Sequence, residues 1–446
     1  MNAASSDAIP VRLATPHAEV WYRQFITVAL LLAALIGFVL GTHIPAERLA
    51  GVGHPDRTLD EIQAHGQVQV LGFAGLYVMG MSLRLLPRFA SARLAFPALI
   101  PVALWLMAGG LITRSLVMPW FDGTAHDAIL LGSMLAVLAA GACFLVIVAA
   151  TVFGEARRPD ASSAAFILGA LLLFAACDIA LFVGIDTVDN GLRSLPYLAD
   201  TAITTLELDG FLLVFIVGVG LRALPAMVGV ERPERGAIMA PLALTATVST
   251  LGVALLYLQY VDYSQTVVVI GDAALTLFGL VLLGFVWQAG VLRPAANRIR
   301  PASQPHLWLV RGAFAWLGVA AVLALYFGAK SIWHAELPSQ DNFDALRHTV
   351  AVGAVTNLIL GMSLMILPEF AMQRQRANAQ RSLALALAAL INLAALLRVI
   401  PALAGTAWSL DVRNASIATA GSLAEVALLL FAFNILRLFW RTRAAA

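Results

Sequence analysis

Apolar runs of about 20 residues recur along the whole chain, separated by short stretches that carry most of its charge. A helix needs roughly 20 mostly apolar residues to cross about 30 Å of hydrocarbon. Twelve such runs follow one another, centred near residues 33, 76, 102, 138, 173, 212, 248, 278, 318, 357, 391 and 425. They predict an all-α polytopic membrane protein with twelve transmembrane helices in a single transmembrane domain. Barrel strands are shorter and alternate in polarity, so helices are the spanning element that fits. Composition agrees: 61% of the 446 residues are hydrophobic and 12% are charged, whereas soluble domains carry roughly half and a quarter.

The charges orient the runs. Of the 28 basic residues only Lys330 is lysine, and the arginines sit between the apolar runs, which argues against a nucleic-acid surface. Taken alternately, one set of connections and termini holds 20 basic residues and the other 8. The positive-inside rule then predicts cytoplasmic N- and C-termini. Phe25 to Leu40 lacks a small-residue cleavage site after it, so this first run is expected to be retained as a helix. Cys143 and Cys177 lie inside apolar runs without a C-x-x-C pattern, which argues against disulfides, zinc ribbons and covalently attached haem.

Three segments repeat a pattern. Gly72, Gly80 and Pro87 in the second run match Gly210, Gly218 and Pro225 in the sixth and Gly353, Gly361 and Pro368 in the tenth. Glycine to glycine is 8 residues and glycine to proline 7 in every copy. Equal spacing at equal intervals predicts three four-helix pseudo-repeats, roughly residues 20–160, 161–305 and 306–446. The glycines are expected to bring the second, sixth and tenth helices together around a pseudo-threefold axis. The prolines are expected to end those helices.

At the other end of the same helices stand His65, seven residues before Gly72, and His348, five before Gly353. At a rise of 1.5 Å per residue the two positions lie within about 3 Å of one depth. Two neutral imidazoles facing across a bundle suit the axial positions of a haem iron. The bland alternative is that both are interfacial residues near helix ends. The remaining histidines fall in the N-terminal tail or the loops. The sixth helix has Thr205 where His348 and Gln67 stand, followed by Glu207 and Asp209. These two acids either cap the helix, pair with Arg193, or form with Gln67 and Thr205 a polar intramembrane site. Arg347 is a candidate partner for a haem propionate, because its planar fork suits carboxylates. Asp178, Asp272, Arg398 and Glu425 look buried, as a proton path, a substrate path or structural pairs.

With these residues in place the chain resembles subunit I of the haem-copper oxidases. H-G-Q-V-Q-V-L-G-F, His65 to Phe73, resembles that family's second helix, where a histidine before glycine ligates low-spin haem. L-R-H, Leu346 to His348, stands where that family has H-x-H on helix 10. More closely, the chain resembles the NnrS family, haem-copper-oxidase-like membrane proteins associated with the response to nitric oxide. The resemblance implies one b-type haem held by His65 and His348, in a bacterial inner membrane, with another membrane redox subunit as a conceivable partner. It departs from the oxidase pattern in three ways: helices 6 and 7 hold no histidine, Leu346 replaces a haem ligand, and Gln67 stands where NnrS-type sequences show a second histidine. Copper, and therefore terminal oxidase or nitric oxide reductase chemistry, is not supported. The expected function is electron transfer, haem handling or protection against nitrosative stress. The competing readings are a proton- or substrate-coupled transporter and a haem-free assembly or scaffold subunit.

Overall fold

The computed structural model describes residues 16–52, 55–154, 161–230, 239–294, 305–371 and 377–444, and these contain no strand. Twelve helices are long and apolar enough to cross a membrane: α1 (Val20–Ala50), α2 (Arg57–Ala90), α3 (Leu99–Trp120), α4 (Gly123–Phe153), α5 (Ser163–Asp189), α6 (Tyr197–Pro225), α7 (Met239–Tyr260), α8 (Gln265–Ala289), α9 (Leu307–His334), α10 (Gln340–Phe370), α11 (Gln380–Ala407) and α12 (Leu410–Arg441). Each predicted centre falls inside one of them. Such helices satisfy every backbone polar group internally, which a bilayer demands, and the protein is a multi-pass membrane protein.

Three helices form the inside. In α2, α6 and α10, 83%, 78% and 72% of the apolar window is buried, against at most 56% in any other helix. Among the described residues the other nine close a ring in the order α1, α3, α4, α5, α7, α8, α9, α11, α12 and back to α1. Large exposed side chains such as Trp105, Phe182, Trp287 and Phe433 lie on ring helices, where lipid would meet them.

The repeated glycines work differently from the expectation. A Cβ on Gly80 would lie 2.6 Å from that of Phe25 on α1, and one on Gly353 would lie 2.6 Å from the Trp316 ring on α9. A Cβ on Gly218 would overlap the side chain of Ala165 on α5. Each inner helix therefore uses its glycines to approach the ring helix before it in sequence, α1, α5 or α9. The inner helices meet through other residues. Gly75, outside the repeated pattern, is where α2 faces α6, with the Phe211 ring 3.5 Å from its would-be Cβ.

The prolines are also displaced from the expected role. Helical structure continues past Pro87, Pro225 and Pro368 to Ala90, Val228 and Phe370. In α2 and α6 the helix stops at a left-handed residue, Ser91 (φ 51°) or Gly229 (φ 77°). A proline in the last turn removes a donor where few bonds remain to lose, and the left-handed cap ends the helix.

Two features recur with the repeated pattern, the first in register to within one residue. Each inner helix widens into an eight-residue π-helical stretch, at Val68–Gly75, Thr205–Leu212 and Thr349–Thr356, and the three stretches touch pairwise. Near the proline end, the Arg222 guanidinium sits 4.4 Å from the Phe89 ring centroid and that of Arg84 5.1 Å from Phe370. Each arginine lies 12 residues after the first glycine of its copy and each phenylalanine 17 after its own. The third pair of positions holds Met365 and Met227.

Candidate functional site

At the histidine end, α1, α2, α6, α10, α11 and α12 enclose a cavity of about 570 Å³. Its size lies within the roughly 300–1,000 Å³ usual for small-molecule and cofactor sites. Apolar side chains including Phe38, Phe73 and Leu212 line part of the wall, and Arg48, Arg347, Arg398 and Arg413 line another part, together with Asp200, Asp341, Asp344 and several amide side chains. His65 and His348 both open onto it. The structure thus brings three of the predicted residues, His65, His348 and Arg347, into one space.

Both imidazoles are held by their Nδ1. His65 Nδ1–H donates to the Gly37 carbonyl at 2.7 Å. That carbonyl belongs to α1 where it widens into a π turn at Ala33–Gly37. Gly41, one turn on, clears the ring: a Cβ there would lie 2.7 Å from His65 Cε1. Gly37 does the same for Gln69, whose amide would lie 2.8 Å from an added Cβ. On α10, His348 Nδ1–H donates to the Asp344 carbonyl at 2.9 Å and lies 3.2 Å from an Asp344 carboxylate oxygen. Arg398 in turn grips Asp344 with two hydrogen bonds, 2.7 and 2.9 Å long. Each Nδ1 carries the proton it donates, so in the neutral ring each Nε2 keeps its lone pair. Neither Nε2 makes a hydrogen bond among the described residues. Orientation of a ligating imidazole by a carbonyl or carboxylate behind it is the usual outer-shell support of metal-ligating histidines.

Arg347 has no hydrogen-bond or ion-pair partner among the described residues, but its charge reaches Asp200, Glu207 and Asp209. Among those residues no three His, Cys, Asp or Glu side chains converge as metal ligands. A haem iron needs only two axial ligands from the protein, because the macrocycle supplies the other four. The residues fit such a group: two Nε2 atoms without a hydrogen-bond partner among the described residues, apolar side chains for the ring, and arginines for its carboxylates.

The four residues of the expected polar site are not gathered together. Gln67 and Glu207 line a pocket of about 10 Å³ with Arg114, whereas Thr205 and Asp209 line another of about 20 Å³ with Arg347. Glu207 and Asp209 neither cap α6, which begins at Tyr197, nor pair with Arg193. Arg193 instead donates to Asp60 at 2.6 Å and to Asp122. Partial burial opposes its charge, and the Asp122 and Asp60 carboxylates more than offset this, raising its pKa above the ordinary arginine value.

Of the other charged residues, Asp178 is exposed on α5, so the expectation that it is buried does not hold. Asp272 is buried with both carboxylate oxygens lacking partners among the described residues, and Glu425 Oε2 is likewise unpartnered. Arg398 is the clamp on Asp344. Several residues expected in loops belong to helices that outrun their apolar cores. His43, His126 and His334 lie inside α1, α4 and α9, and Arg114, in α3, is only 2% exposed.

Sequence reasoning missed Asp344, Gly37, Gly41, Gln69 and Arg114. An Asp–His pair four residues apart on one helix, and a glycine pair four apart on α1, were readable signals for the first three. No curated protein matches the chain. The NnrS protein family model matches residues 19–443, nearly its whole length, and the chain belongs to the NnrS family.

Proposed function

We propose that this membrane protein binds one b-type haem in the cavity at the histidine end, where His65 and His348 would hold the iron. The observation that carries the reading is the matched pair of imidazoles. Each is fixed through Nδ1 by an acceptor behind it and leaves Nε2 free at the same cavity. When bound, a haem supplies one-electron redox chemistry tuned by its axial ligands and surroundings. The chain's own part is to hold both imidazoles still, to place Arg347 where a propionate would reach, and to surround the ring with apolar side chains. With His65 and His348 both holding it, the haem iron would offer no free position to a gas. Electron transfer, or haem handling in the response to nitric oxide, therefore fits better than oxidase catalysis.

The same reading places the protein in a bacterial inner membrane with cytoplasmic termini and the cavity toward the opposite face. It also takes the chain as three four-helix repeats in a haem-copper-oxidase-like arrangement. The ring order supports this, since advancing four helices along the chain moves each ring helix three places around a ring of nine. So do the three π stretches, which keep register with the repeated glycines to within one residue.

The test is a reduced-minus-oxidised spectrum of the protein purified in detergent from haem-replete cells. A sharp low-spin b-type band, lost in both His65→Ala and His348→Ala, is expected. No band in the native protein would sink the reading and leave transport or scaffolding. A carbon monoxide shift of the reduced spectrum would return gas chemistry to the iron.

A further inference from the structure

Two small pockets flank the π stretch of α6, and each holds a carboxylate with an unpartnered oxygen. Glu207 Oε1 is buried without a hydrogen-bond partner among the described residues, and so are Nε and Nη1 of Arg114. Both residues line the pocket of about 10 Å³, together with Gln67, Ser133 and Cys177. That is close to the space of one water molecule, which is held when two to four polar groups surround it. On the other side of α6, Asp209 Oδ1 is also unpartnered, in the pocket of about 20 Å³ beside Thr205 and Arg347. Residues two apart on a helix point to opposite sides, which is why the acids do not share a space.

The surroundings single out Glu207. It is 2% exposed, whereas Asp209 is only half-buried. Its pocket also contains Gln67, two residues after His65 on α2. The titratable and charged groups that face it are Arg114 from α3, Cys177 from α5, Asp200 from its own helix and Arg347 from α10. The residues that α2 and α4 bring to the pocket do not titrate, nor does Leu251, which α7 brings to the pocket of Asp209. Asp200 lines the large cavity, and its charge reaches both Arg114 and Glu207. The charge of a cavity-lining residue is thus felt at the buried acid.

We infer that Glu207 is a proton acceptor for the large cavity, with a water held between it and Arg114 as the relay. The inference rests on the haem reading above and deepens it. An added charge in a low-dielectric interior is strongly unfavourable unless an opposite charge arrives with it. One electron from a one-electron donor enters the haem. One proton from bulk solvent, handed on as a hydronium O–H bond of the cavity water breaks and leaves neutral water, forms an O–H bond on a Glu207 carboxylate oxygen. The net charge of the buried region is then the same before and after.

The experiment is a redox titration of the haem-loaded, full-length protein at a series of pH values, alongside Glu207→Gln and Asp209→Asn. One proton per electron means that the midpoint potential falls by about 59 mV for each tenfold drop in proton activity. That slope is expected in the native protein and in Asp209→Asn, and is expected to vanish in Glu207→Gln while the low-spin band persists. A pH-independent native potential overturns the inference, as does a Glu207→Gln protein that keeps the slope. If Glu207→Gln does not accumulate, the redox-difference infrared spectrum of the native protein decides. A protonated-carboxyl band must grow on reduction, and its absence overturns the inference. Failure of the underlying reading looks different, because the native protein then has no haem band to titrate.

Discussion

The three inner helices make the same backbone turn and put different chemistry on it. In α2 and α10 a histidine stands just before the π stretch, and its Nδ1 is tied to a carbonyl at 2.7 or 2.9 Å. In α6 the polar residues lie within the stretch, and Glu207 and Asp209 each have an oxygen without a partner among the described residues. Buried polar groups are normally satisfied, so an unsatisfied one calls for a reason. On the proposed function the contrast assigns two jobs. An imidazole that must hold a metal gains from being locked from behind. A carboxylate that must exchange a proton gains from space and a mobile partner. One scaffold thus presents fixed imidazoles at a cavity from two inner helices and, from the third, unpartnered acids in two small pockets of their own.

The largest effect breaks the fixed side. Either His65→Ala or His348→Ala is expected to abolish the six-coordinate band, since one axial ligand cannot maintain it. Asp344→Asn tests the lock instead of the ligand. Residue 344 keeps its carbonyl on His348 but loses the charge that faces both His348 and Arg398. Loss of an outer-shell partner typically weakens metal affinity about 10–100-fold. Haem titration into the apoprotein is therefore expected to show weaker binding with the low-spin band retained at saturation. An unchanged affinity would mean that the backbone carbonyl alone positions the ring.

How far the sequence foretold this contrast depends on which physical signal each part leaves. Spans are legible because desolvation demands long apolar runs, and all twelve predicted centres fall within helices. His65 and His348 are legible because an ionisable group in such a run is conspicuous. Which helices are inner is less so, since inner and ring helices are almost equally apolar when lipid is the solvent outside. The glycine spacing identifies α2, α6 and α10 but not what the glycines touch, because close approach has no direction in sequence. Arg114 reads as a loop residue, since it follows an apolar run. Only the fold shows that α3 carries it inward to Glu207.

The glycine contacts give a third test, of the frame that both regions share. Gly361→Ala would put a Cβ 2.9 Å from the Leu309 side chain and 3.1 Å from the Val310 backbone nitrogen on α9. The backbone cannot step aside cheaply, and overpacking of this kind costs about 1–3 kcal/mol. Gly109→Ala meets nothing within 4 Å and is helical, so it is expected to be neutral or to stabilise by up to about 1 kcal/mol. Thermal unfolding in detergent separates the two. Equal effects would mean that the glycines of the inner helices are not approach points.

The smallest expected effect asks whether the proline end is as interchangeable as the histidine end is specialised. Arg222 lies over Phe89 and Arg84 over Phe370, while the corresponding third pair of positions holds Met365 and Met227. A methionine there replaces a cation over a ring with a polarizable thioether that also contacts aromatic edges favourably. Arg222→Met rebuilds on one seam the residue type found on the third. Removing a cation–π contact forfeits about 0.5–2 kcal/mol, and a sulfur–aromatic contact returns about 0.3–1.5 kcal/mol. For the ring contact alone the net loss of stability is expected to be below about 1 kcal/mol, read as a small drop in detergent melting temperature with an unchanged haem spectrum. A loss of several times that size, or a change in the haem band, would show that the proline end is coupled to the cavity. The three seams would then be individually tuned, as the histidine and carboxylate sides are.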